Sequence, residues 1–165
     1  MACVVAAGTA AIAHAIYSLI ANPVGDAWLI LAALTLFSGS FTVKVPSIPA
    51  TISVSETFVF TAVLLFGVAP ATLIVALDGL IITLWRKRRR ISRILFNAGE
   101  PAISIWIAAT AFYAIADFEP LVRDPTQPVR VSYLAGPLII LTAIYFLLNS
   151  LLTARVVAYD TGTSP

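Results

Sequence analysis

Two carboxylic acids, Asp78 and Glu100, lie inside long apolar runs, and Glu56, Asn97 and Asn149 stand in or beside neighbouring ones. An ionisable side chain at the centre of a membrane helix costs about 2.5 to 3.5 kcal/mol on insertion scales, so such a group pairs, protonates or holds a ligand. Asp78 is seven residues before Trp85 and Glu100 six after Ile94, where the expected spans end, which puts both roughly 10 Å inside. Asn149, nine residues before Ala158, lies roughly 13 Å up the last run from the same side. Two carboxylates at one depth share a proton or find a cation, with Arg93, Arg155 or an exogenous ligand as candidates. Asn97, Glu100 and Ser104 share a helical face by their spacing, and Pro101 frees the carbonyl of Asn97 as an acceptor for a ligand or a neighbouring helix. Glu56, Asp78, Asn97, Glu100 and Asn149 are therefore expected to form one ligand-binding pocket in the inner half of a bundle, with Glu56 at its mouth.

Each residue also has a plainer use. Asn97 and Asn149 serve equally as interhelical links worth under about 1 kcal/mol. Glu56 follows Ser53 and Ser55 and could simply cap the start of its helix. Arg155 can snorkel to the headgroups. His14 is the single histidine and Cys3 the single cysteine, so no metal-ligand set is expected, and a hydrogen-bonded packing role suits His14. There is no G-x-S-x-G, H-E-x-x-H or phosphate-binding glycine loop. "LDGL" at 77 to 80 resembles the start of the acidic motif of membrane alcohol-phosphotransferases, but the further metal-binding acids do not follow. No catalytic residue, enzyme activity or cofactor is expected.

The elements that must position these groups are membrane spans. The chain is 60% hydrophobic and only 11% charged, with a mean hydropathy of +0.98, far from the roughly 25% charged residues of soluble domains. With about 20 residues per span, the 165 residues hold a single all-α membrane domain, 1–165, of about six spans. The first run, Ala2 to Ala21, lacks the basic start of a cleaved signal peptide and reads as a span closed by "NPVGD". The second, Ala27 to Phe41, is short. Residues 42 to 55, with Pro46 and Pro49, form an irregular connector, because no helix passes both prolines unbroken. From Thr57 to Trp85 two short helices are expected, turning at 67 to 70 in "FGVAP". A fifth span follows from Ile94 to Ala116 and a sixth from about Gly136 to Ala158, across a polar loop at 117 to 130.

Six of the ten Lys and Arg residues, Arg86, Lys87, Arg88, Arg89, Arg90 and Arg93, crowd into the loop before the fifth span, whereas the next loop mixes three acids with two bases. By the positive-inside rule the basic loop and both termini face the cytoplasm of an inner (plasma) membrane, with the cations touching anionic headgroups. Labelling a cysteine at position 88 from outside the cell would contradict this. No aromatic or base-reading residues interleave with the cations, so no nucleic-acid partner is expected.

The segments "ISVSETFVFTAVLLFGVAPATLIVALDGLIITLW" at 52 to 85, "LFNAGEPAIS" at 95 to 104 and "YFLLNSLLTARVVAYDTGTSP" at 145 to 165 carry a family resemblance over about two thirds of the chain. Together they resemble the multi-pass N-terminal membrane region of bacterial HD-GYP and GGDEF cyclic-di-GMP signalling proteins. That resemblance implies a sensory input module partnered by the bilayer, a small-molecule ligand and a cytoplasmic output domain or protein. Family members continue into further spans and an output domain, so this chain reads as a truncated frame, a fragment or a stand-alone module. The hairpin with Gly67 and Pro70 also resembles the six-span substrate-capture subunits of energy-coupling-factor vitamin transporters, which implies the alternative function of holding a small solute for transport.

Overall fold

The structure, a computed structural model, describes residues 1–39, 42–44, 51–53, 55–85, 91–126 and 131–161. Among these, six helices follow in order: α1 (Ala2–Ala21), α2 (Trp28–Gly39), α3 (Ser55–Phe66), α4 (Val68–Trp85), α5 (Ile91–Ala116) and α6 (Val131–Thr161). Between α2 and α3 the connector is not irregular where it is described. Strands β1 (Thr42–Lys44) and β2 (Thr51–Ser53) pair antiparallel, with Val43 opposite Ile52. The β-branched residues that argue against a helix here favour a pleated strand, and the ladder bonds its own backbone groups. Pro46 and Pro49 lie outside the described residues, as do Arg86 to Arg90.

α1, α4, α5 and the Ser132–Val156 part of α6 are long and apolar enough to cross a membrane. α2 and α3 have 12 residues each, about 18 Å of helix against a hydrocarbon thickness of about 30 Å. The outer surface is apolar: Tyr17, Ile20, Ile30, Phe37, Ile139, Phe146 and Leu151 are all exposed. Soluble monomers rarely leave such continuous apolar area bare, so this is the surface of a membrane bundle.

The turn between α3 and α4 is tighter than the sequence suggests. Gly67 alone is non-helical, with φ of +95°, and Pro70 already lies in the first turn of α4, where a missing N–H breaks no helical bond. The end of α3 is closed by its neighbours. Gly67 N–H donates to the Val63 carbonyl at 2.9 Å, Leu121 N–H to Leu64 at 3.1 Å and Val122 N–H to Leu65 at 3.0 Å. The half-buried Tyr113 also donates its hydroxyl to the Val63 carbonyl. These carbonyls are the acceptors that a helix leaves unsatisfied at its C-terminus.

That closure puts the α3–α4 turn and the 117–126 segment at one end of the bundle, where Asn22 to Val24 also line a shared hollow with Pro120 and Arg123. Helix direction consequently alternates along the chain. α5 is central, packing on α1, α4 and α6, while α2 lies against α3 and α4. Its core is rich in alanine, with Ala102, Ala108 and Ala109 fully buried beside Ile105 and Phe112. Small residues let the helices approach closely. A Cβ on Gly8 of α1 would overlap the backbone of Gly99 on α5, and a Cβ on Gly79 of α4 would overlap the carbonyl oxygen of Asn97.

Candidate functional site

Gly67 sets the depth of the site. Glu56 lies eleven residues before it on α3 and Asp78 eleven after it on α4, so both stand about 16 Å from the turn, on neighbouring antiparallel helices. α2 descends to the same level and stops there. Its last residue, Gly39, packs against the Asp78 carboxylate so closely that a Cβ at Gly39 would lie 2.7 Å from Oδ1. Gly39, Ser55, Glu56 and Asp78 line a cavity of about 180 Å³, completed by Val59, Val75, Gly79, Ile82, Pro101 and Tyr145.

Asp78 is the unusual group. Its side chain is 9% exposed, and Oδ1 is buried with no hydrogen-bond partner among the described residues. Glu56 is exposed at the edge of the cavity, on the first turn of α3, where the positive end of the helix favours an acid. Tyr145, buried on α6, stands edge-to-face with Phe60 at 5.5 Å and within electrostatic range of Glu56, Asp78 and Glu100.

Of the five expected pocket residues, Glu56 and Asp78 line this cavity, while Asn97, Glu100 and Asn149 are not among its lining residues. Glu100 is buried but turns toward α6 instead of the cavity: Ser104 donates to its Oε1 at 3.1 Å, and the Asn149 amide, assigned with its nitrogen toward the acid because that orientation satisfies both groups, donates to Oε1 at 3.2 Å and Oε2 at 3.0 Å. Asn97 faces outward and donates to Thr83 Oγ1 at 2.8 Å; Thr83 in turn donates to the Gly79 carbonyl at 2.7 Å. The carbonyl that Pro101 frees on Asn97 meets a neighbouring helix, at Gly79. Asn97 and Asn149 thus link neighbouring helices, while Pro101 lines the cavity. His14 accepts a hydrogen bond from Trp106 Nε1 at 3.3 Å, and Arg155 is exposed near the end of α6.

Gly39, Ser55 and Tyr145 are site residues that motif reading passes over. Tyr145 carried a signal, a phenol in the middle of an apolar run whose hydroxyl needs a polar neighbour. A larger hollow of about 330 Å³ lies at the loop end, between Asn22, Gly67, Tyr113 and Arg123. Its charged groups Glu119 and Arg123 pair with each other at 3.5 Å, so no unbalanced charge marks it as a site.

Comparison with known protein families, with characterised proteins and with solved structures finds no match to this chain. The geometry alone carries the functional argument. A carboxylate with a buried oxygen that has no hydrogen-bond partner among the described residues, at the wall of a cavity, can hold a donor or a cation.

Proposed function

We propose that the chain is the membrane-embedded input module of a signalling protein, that it is not an enzyme, and that it binds a small ligand in the Asp78 cavity. One observation carries this reading. Tyr145, which faces the cavity, belongs to α6, and α6 runs on sixteen residues to Thr161, about 24 Å further. Whatever fills the cavity presses on the helix whose end leaves the hydrocarbon. With the basic loop inward, that end is cytoplasmic, where an output domain or partner protein would read it.

A second reading, the capture subunit of a small-solute transporter, is favoured by a different observation. α2 and α3 both stop at the cavity, about halfway through the bundle, and helices broken at mid-depth surround the substrate and ion sites of many transporters. Both readings need an occupied cavity.

The test is ligand retention. Protein extracted from its own membranes and released intact in a mass spectrometer is expected to carry a small-molecule adduct that Val75→Phe, which fills the cavity, has lost. An adduct held equally by both proteins, or by neither, would contradict the proposal.

A further inference from the structure

The geometry points to a small organic ammonium, a monocation with a short apolar body, as the ligand of the Asp78 cavity; this rests on the binding-module reading and names its ligand class. Charge is the first argument. Among the described residues the cavity is lined by two carboxylates, Glu56 and Asp78, and by no Lys or Arg. Asp78 Oδ1 is buried without a hydrogen-bond partner among the described residues. The C-terminal end of α2, against which that carboxylate packs at Gly39, carries negative partial charge as every helix end of that polarity does. Helix and carboxylate both repel an anion there and attract a cation.

Shape selects among cations. At about 180 Å³ the cavity has several times the roughly 30 Å³ that one water occupies in the liquid, so a bare metal ion at Asp78 would leave most of it unfilled. No group of three or more His, Cys, Asp or Glu side chains among the described residues is placed to hold a metal. Val59, Val75, Ile82 and Pro101 supply apolar wall that suits a short alkyl body, and the aromatic Tyr145 lies among the lining residues. An alkylammonium head has three N–H donors, enough for the Asp78 carboxylate at the cavity wall and the Glu56 carboxylate at its edge.

Ethylammonium chloride is the probe, added to the full chain in lipid nanodiscs during thermal unfolding, with sodium chloride and ethanol as matched controls. Ethylammonium is expected to raise the unfolding midpoint saturably while sodium and ethanol leave it unchanged. Asp78→Asn should weaken that binding at least tenfold, and Glu56→Gln by less. Should Asp78→Asn fail to fold, Val75→Phe and Val59→Phe, which occupy the space and keep both acids, should abolish it. Equal shifts with sodium or ethanol, no shift with ethylammonium, or binding that survives cavity filling would overturn the assignment. Silence toward ethylammonium in a protein that retains an adduct lost in Val75→Phe removes the ammonium and leaves the module reading intact; an amine bound by a chain whose α6 never responds does the reverse.

Discussion

Asp78 and Glu100 are both buried carboxylates at one level, yet their surroundings predict opposite responses to mutation. Glu100 accepts from Ser104 and Asn149, so Glu100→Ala strands two donors and should cost about 1 to 3 kcal/mol. Asp78 has a buried oxygen with no partner among the described residues, so Asp78→Asn removes a buried charge and should leave stability unchanged or raise it in ligand-free protein. Unfolding in mixed micelles reads both signs; a strong loss at Asp78→Asn with none at Glu100→Ala would reverse the assignment of site and clamp. The need for partners at these acids is legible in the sequence, from the cost of charge in hydrocarbon. Which partner each acid takes is not. A soluble helix announces its buried face through its polar one, but a helix apolar all round carries no such signal, so the rotation that sends Glu100 to α6 and Asp78 to the cavity emerges only from packing.

At the level of elements, the α4–α5 crossing is the joint that holds the Asp78 wall in place. Gly79 admits the Asn97 carbonyl freed by Pro101, and the Asn97 amide grips Thr83 one turn further along α4. Gly79→Ala must push the two helices apart and is expected to cost about 1 to 3 kcal/mol, as overpacking of a tight core does. Unfolding of the variant at or above the wild-type midpoint would show that the crossing yields freely. The long helices were readable because apolar length and the breakers Pro23, Gly25 and Gly67 mark them directly. The shortness of the second run was readable too, but the pairing of β1 with β2 was not, since alternating β-branched residues next to two prolines describe a strand and an irregular connector equally well. The clash at Gly79 was likewise hidden, because close approach of two backbones depends on partners far apart in the chain.

For the whole molecule, the arrangement amounts to a bundle centred on α5, with a half-length pair, α2 and α3, descending from the loop end to a cavity whose far wall is α6. α6, with 31 residues, is about 46 Å long and exceeds the hydrocarbon thickness, so it is the element able to carry a change at Tyr145 out of the membrane. Central to the account is the coupling of cavity occupancy to α6. The most direct measurement places spin labels at Ser92 on α5 and Ala154 on α6, both exposed, in a Cys3→Ser background, and compares distance distributions with the cavity open and filled by Val75→Phe. The account predicts a shifted or newly bimodal distribution in the filled protein; identical distributions, with both proteins folded, would contradict it.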